Sequence, residues 1–169
     1  MSRQPVQIRK ASPPDVPLIQ SFIRKLAEYE RKAHEVVSTE ENLYDVLFGD
    51  RPMAGVLLAY TSSDEPVGFA LYFETYSTFR GRRGIFLEDL FVEPQYRGQG
   101  FGTALLAATA RLAYECGGSL QWLVLDWNEP AAVFYRRLGA TRVEEWNSYK
   151  LHGDALARLA ISTQKGGNL

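Results

Sequence analysis

Ile85-Phe86-Leu87-Glu88-Asp89-Leu90-Phe91-Val92, followed by Glu93-Pro94 and then Gln95-Tyr96-Arg97-Gly98-Gln99-Gly100-Phe101-Gly102-Thr103, is the stretch on which the fold of this 169-residue chain turns. Residues 85 to 92 are apolar on both faces except for two adjacent acids, the pattern of a strand covered on both sides of a sheet. Glu93-Pro94 ends that strand, because proline lacks the N–H a ladder needs. From Phe101 to Glu115 apolar residues recur at helical spacing, and Gly117-Gly118 terminates the run. Glycines in the connection let backbone N–H groups turn inward, and the following helix start adds about half a positive charge, so strand, loop and helix together form a seat for a pyrophosphate.

Working outward, Ser119 to Trp127 reads as a second buried strand, Pro130 to Leu138 as a short helix closed by Gly139, and Thr141 to Leu151 as a last strand region with a polar interruption. Upstream, Val6 to Arg9 reads as a short strand, and Ser12-Pro13-Pro14-Asp15 as a helix start with a serine cap and an acid at the third position. Ile19, Phe22, Ile23 and Leu26 follow at helical spacing. A second helix is expected from Ser38 or Thr39 to Gly49, with Glu40 and Glu41 at its positive end. Met53 to Tyr60 and Val67 to Thr75 read as an antiparallel hairpin across Ser62-Ser63-Asp64-Glu65-Pro66. The expected class is therefore α/β (α+β): one domain, residues 1–163, with a mixed central β-sheet flanked by helices, and a disordered tail at 164–169.

Composition narrows the partners. With 19 basic and 20 acidic residues there is no global field that favours nucleic acid or an anionic membrane surface. Cys116 is the only cysteine, and His34 and His152 are the only histidines, so neither a disulfide nor an ordinary zinc centre is expected, and no metal. A lone cysteine suits a reducing compartment, and no stretch approaches the roughly 20 apolar residues of a membrane span, so the expectation is a cytoplasmic protein.

Other phosphate loops fail against the same residues. A Walker loop needs Gly-Lys-Ser/Thr after four spacers, which neither Gly98 nor Gly100 supplies, and the third glycine of a dinucleotide fingerprint falls on Thr103. A glycine turn that merely joins strand to helix is the plainer alternative. Arg97-x-x-Gly100-x-Gly102 resembles the acyl-CoA loop of the GCN5-related N-acetyltransferases (GNAT). Leu87 to Val92, Trp127-Asn128-Glu129-Pro130 and Phe134-Tyr135-Arg136-Arg137-Leu138-Gly139-Ala140 resemble the corresponding blocks of its diamine (spermidine/spermine-like) acetyltransferase branch, and Leu26-Ala27-Glu28-Tyr29-Glu30 resembles its first helix.

The resemblance implies a sheet splayed between its two central strands, here Glu88 to Val92 and Leu120 to Trp127, with the pantetheine arm of acetyl-CoA pairing with the first. The implied cofactor contacts are Leu90, Phe91, Val92, Arg97, Gly98, Gln99, Gly100, Phe101, Gly102, Thr103, Asn128 and Ala131. It also implies acetyl transfer from acetyl-CoA to the primary amine of a small molecule by direct attack, and a homodimer.

An alkyl ammonium has a pKa of about 10.4, so a proton must be accepted before the amine attacks. Glu88 and Asp89 interrupt an apolar strand, where carboxylates are costly without a task or a partner. The family likeness assigns Glu88 to base work through a water and Asp89 to amine binding; alternate residues face opposite sides of a strand, so both line one cleft only if a bulge intervenes. The alternative is a structural pair meeting Arg or Lys from another element. Tyr135 corresponds to the tyrosine that serves as general acid at the thioester sulfur, against filling the core beside Phe134. Asn128 would hydrogen-bond the pantetheine arm, or cap the next helix. Tyr29 and Glu30 resemble amine-binding residues, against a solvated helix end.

Two rival functions remain open on the sequence: an acyl-CoA-binding module without catalysis, and an acetyltransferase whose acceptor is a protein lysine or another amine. The diamine branch carries an acid and a tryptophan where Tyr76-Ser77-Thr78-Phe79 has serine and phenylalanine, followed by Arg80, Arg82 and Arg83. This departure favours a short diamine or an amino acid with a terminal amine over spermine.

Overall fold

The computed structural model describes residues 6–162. Its elements are β1 (Gln7–Lys10), α1 (Val16–Tyr29), α2 (Glu40–Phe48), β2 (Gly55–Tyr60), β3 (Pro66–Ser77), β4 (Arg82–Val92), α3 (Phe101–Glu115), β5 (Leu120–Gln121), α4 (Glu129–Arg137) and α5 (Gly153–Ser162). The chain divides into two compact units, Met1–Leu123 and Val124–Leu169.

In the first unit the five strands lie in sequence order. β1, β2, β3 and β4 are antiparallel neighbours, and β5 joins parallel to β4, which makes the sheet mixed as expected. Ser12 and Asp15 form a capping box, the Ser12 N–H and hydroxyl both donating to Asp15 Oδ2 at 2.8 Å, and this holds the 3₁₀ turn that leads into α1. Thr39 caps α2 in the same way, accepting from the Asn42 N–H at 3.2 Å while the Asn42 side chain accepts from Thr39.

α1 and α2 cover one face of the sheet. Val16, Ile19, Phe22 and Leu26 of α1 and Leu43 and Leu47 of α2 pack with Val56, Leu58, Phe69, Leu71 and Phe91. Phe22 stacks on Phe69 at 5.7 Å between ring centres and lies 5.9 Å from Phe91. α3 packs across β2, β3 and β4 on the other face, burying Phe101, Leu105 and Leu106.

Several expectations are corrected. The second central strand is two residues long, Leu120–Gln121, instead of running to Trp127. Thr141 to Leu151 contains no strand; Trp146 and Tyr149 are exposed there, and a segment interrupted by Arg142, Glu144, Glu145, Asn147, Ser148 and Lys150 has little apolar surface to bury against a sheet. α5 was not anticipated, and Cys116 is half-buried. The expected tail, 164–169, lies outside the described residues. Among the described residues, no helix is long and apolar enough to cross a membrane and no cluster of His, Cys, Asp and Glu could hold a metal ion.

Phe69 is fully buried at the junction of α1 and the sheet. Phe69→Ala should lower stability by about 3–5 kcal/mol, read from the midpoint of denaturant unfolding.

Candidate active site

The site begins with an irregularity between β3 and β4. Leu71 pairs with Asp89 and Tyr72 with Leu87, so Glu88 is one residue too many on β4 and has no cross-strand partner. Such a bulge breaks the alternation that would otherwise send adjacent side chains to opposite faces. Asp89 shares the face of its partner Leu71, which belongs to the core under α1. Glu88 is exposed, not buried as the apolar strand suggests, because the extra residue is pushed out of the ladder.

Burial raises the Asp89 carboxyl to about 7, with the neighbouring charges of Glu88 and Glu30 acting in the same direction. Glu30, directly after α1, is itself raised by burial and held back by Lys32. The structure thus brings three of the expected residues, Glu30, Glu88 and Asp89, into one electrostatic group, with Tyr29 as the last residue of α1 beside it. A site of this kind attracts a cation and offers a carboxyl that titrates near neutrality.

Arg97 ties that group to the glycine loop. Its Nε donates to the Val92 carbonyl at 3.0 Å, and its guanidinium lies 4.7 Å from the Tyr29 ring centre and 5.8 Å from that of Phe91. Lys25 of α1 pairs with Glu93, two residues after Phe91. The end of α1 is therefore anchored to the end of β4 at two points that the sequence did not announce, since a helix surface lysine and a loop arginine carry no signature of their partners.

The loop fits a pyrophosphate on its own geometry. Gly98 and Gly100 have φ of +75° and +98°, conformations that side chains resist, and nothing lies within 4 Å of where a Cβ would stand on either. The Gly100 carbonyl accepts the first helical hydrogen bond, from Ala104 at 2.9 Å, so the N–H groups of Phe101, Gly102 and Thr103 head α3 with no intrahelical acceptor. Gln99 folds back, its amide donating to the Gln95 carbonyl at 2.9 Å.

β4 and β5 pair only through Ile85 and Phe86, so from Leu87 through Leu90, Phe91 and Val92 the β4 backbone runs on without that neighbour. A chain bearing amides, such as pantetheine, matches that edge.

In the second unit, Asn128 is buried and its side chain accepts from the Ala131 N–H at 3.3 Å, which makes it the cap of α4. Tyr135 is half-buried on α4 with its ring 5.1 Å from that of Phe134. Of the arginines after Phe79, two open β4: Arg83 pairs with Glu74 at 3.1 Å and Arg82 donates to the Gly117 carbonyl at 3.3 Å. Their charge is directed to protein groups, which weakens the expectation that they repel a polycation or receive a carboxylate.

A parallel–antiparallel sheet opened beside an acidic strand, with a glycine loop feeding a helix, defines an acyl-CoA-dependent transferase fold. The acetyltransferase (GNAT) family model matches residues 20–140, and the chain belongs to that family. The match runs through both compact units. The chain is similar to a thialysine N-epsilon-acetyltransferase of Bos taurus, 40% identical over 92% of this chain and 97% of the relative. It is 33% identical to the L-ornithine N5-acetyltransferase of Arabidopsis thaliana, over 89% and 86% of the two chains. Among solved structures it resembles an integron cassette protein from the mobile metagenome of V. cholerae, with a TM-score of 0.75 and 26% identity over 92% and 97%.

The Asp89 shift carries a sign. An unfolded aspartate loses its proton at about 3.9 and the folded one at about 7, so the folded state holds the extra proton between those values and loses stability as pH rises through them. Asp89→Asn should therefore raise Tm at pH 8, by about 2–4 °C for each kcal/mol recovered, and change it little at pH 4. Thermal melts at the two pH values check this; equal shifts at both would remove the burial cost from Asp89.

Proposed function

We propose that this protein transfers acetyl from acetyl-CoA to the terminal primary amine of a small molecule, an amino acid side-chain amine or a short diamine. The observation that carries the reading is the desolvated Asp89 carboxyl grouped with Glu30 and Glu88, joined through Arg97 to the loop that suits a pyrophosphate. The names of the relatives, which act on thialysine and ornithine, support an amine at the end of an amino acid side chain.

In this proposal Asp89, Glu30 and Tyr29 hold the ammonium, where a pair of unlike charges gains most because water is partly excluded. Glu88, exposed beside Asp89, accepts the proton through a water. The neutral amine attacks the thioester carbonyl, the carbon–sulfur bond breaks, and the leaving thiolate is met by a hydrogen bond from the Tyr135 hydroxyl. A thiol near 8.5 is a weaker base than a tyrosinate near 10, so full proton transfer in isolation is uphill by about 2 kcal/mol, and the tyrosine acts chiefly as donor while the intermediate collapses. Arg97, Gly98, Gln99, Gly100, Phe101, Gly102 and Thr103 take the pyrophosphate; Leu90, Phe91 and Val92 pair with the pantetheine arm, with Asn128 and Ala131 contributing further contacts. One domain over residues 1–163, a cytoplasmic location and a homodimer belong to the same proposal. Light scattering of the purified protein checks the dimer.

Thiol release from acetyl-CoA over a panel of ornithine, thialysine, lysine, putrescine and spermine tests the function. Ornithine, thialysine or putrescine should exceed spermine in kcat/KM, since Ser77 and Phe79 stand where remote ammonium groups would need acids. No release with any amine would point to a module that only binds acyl-CoA, and release that is the same without amine to one that hydrolyses it.

Two substitutions test the parts. Gly100→Val should abolish acetyl-CoA binding in calorimetry while the protein stays folded, because a β-branched residue resists φ of +98°. Tyr135→Phe should lower kcat by about a hundredfold or more with acetyl-CoA affinity preserved. Glu88→Gln should flatten the acidic limb of the pH–rate profile; a limb that persists there and vanishes in Asp89→Asn gives the proton to Asp89.

A further inference from the structure

The sheet face that bears Asp89 continues toward the β3–β4 turn. Cross-strand partners share a face, and the register pairs Leu71 with Asp89 and Phe73 with Phe86. Leu71 and Phe73 are two apart on β3 and so point the same way. Phe73 and Phe86 therefore stand on the side of the sheet that Asp89 occupies, two strand positions or about 7 Å further along. Their rings are stacked, 5.1 Å between centres and 24° between planes. Both are half-buried, and neither joins the buried cluster beneath α1 and α2.

Charge is absent from the next pair on this face, Thr75 and Gly84. The Glu74–Arg83 ion pair belongs to the alternate positions, Glu74 opposite Ile85 and Arg83 opposite Tyr76, and so lies on the reverse side. The order on one face is thus acid, then a flat apolar surface, then the uncharged Thr75–Gly84 pair, and only beyond it Ser77 and Arg82 at the end of the ladder.

That order is the chemical image of an ω-amino compound: an ammonium followed by methylenes. We infer that Phe73 and Phe86 form the wall against which the aliphatic stem of the acceptor lies, so that this ring pair sets the preferred stem length. The inference rests on the proposed acetyl transfer to an amine. Methylenes moved from water onto an aromatic surface gain about fourfold in affinity each when fully buried. A wall two strand positions, or about 7 Å of backbone, beyond the Asp89 position selects stems long enough to reach it. An aromatic pair that merely stabilised the hairpin would affect stability and leave the dependence on stem length untouched.

The test compares kcat/KM for diaminoethane, diaminopropane and diaminobutane in the wild type, Phe73→Thr and Phe86→Thr. Threonine keeps strand propensity while removing the ring. Because each variant meets the same amines, their intrinsic reactivity cancels. The wild type should gain severalfold per added methylene relative to the variants, up to about fourfold, while acetyl-CoA affinity by calorimetry stays the same in all three. If a threonine variant does not fold, Phe73→Leu and Phe86→Leu keep apolar volume in the sheet and should still reduce the gain. An equal gain per methylene in folded variants and wild type overturns the wall and leaves the acetyl-transfer reading standing. Absence of acetylation of any amine by the wild type overturns both.

Discussion

One extra residue in β4 is the constraint on which the site depends. Without the unpaired Glu88, strict alternation would place it and Asp89 on opposite faces, and only one carboxyl would enter the region beneath the end of α1. With it, Asp89 keeps the register of the core-facing Leu71 while Glu88 stays close enough to raise its carboxyl. The pairing from Leu71 to Gly68 continues undisturbed on the far side of the bulge, so the strand that carries the acids is still held by a full antiparallel ladder. Local disorder of pattern is thereby combined with a rigid frame, which is what a group whose ionisation must be tuned requires.

The end of α1 obeys the same logic from the opposite side. Phe22 fixes the helix on the sheet through Phe69 and Phe91, but that contact is two turns away from Glu30. Lys25 with Glu93 and Tyr29 with Arg97 supply the nearer restraints. An exposed ion pair is worth little in stability, about 0–1 kcal/mol, so these contacts are better understood as positioning the acids than as holding the fold. Because Arg97 belongs to the loop that would take the pyrophosphate and touches the residue before Glu30, the proposed cofactor and acceptor sites share a side chain.

Much of this was legible in the sequence because it rests on local signals. The Ser12–Asp15 box, the Thr39 cap, the Gly49 stop and the Phe101–Glu115 helix follow from residues within four positions of one another, and so does the loop with its positive-φ glycines. Less was legible where the outcome depends on distant pairing. Ser119 to Trp127 has strand composition throughout, yet only Leu120 and Gln121 find a ladder on β4. Thr141 to Leu151, with Val143, Trp146, Tyr149 and Leu151 spaced among charged and polar residues, finds none among the described residues. α5 lacks a serine or threonine cap to announce it, starting at Gly153 with φ of +56°. The acids were visible as a cost that needed a purpose, but which of them is desolvated depended on a bulge that no residue type in β4 signals.

The arginines after Phe79 show how the basis for selectivity changes once partners are known. Counted along the chain, Arg80, Arg82 and Arg83 form a basic cluster able to repel a polycation. In the fold, Arg83 meets Glu74 and Arg82 meets a backbone carbonyl, and a guanidinium already engaged exerts only a screened field on a ligand. In the proposed reading, discrimination between short and long amines then has two remaining sources on this side of the sheet. One is the lack of an acid at Ser77 and Phe79 for a remote ammonium. The other is the order of acid and aromatic along the Asp89 face, which rewards methylenes close to the reacting nitrogen and gives nothing to charges beyond them. On that reading, a remote ammonium near Ser77 and the exposed Phe79 stays hydrated but finds no partner, so a long polycation gains nothing from its added charges, whereas methylenes laid on the half-buried rings gain by leaving water.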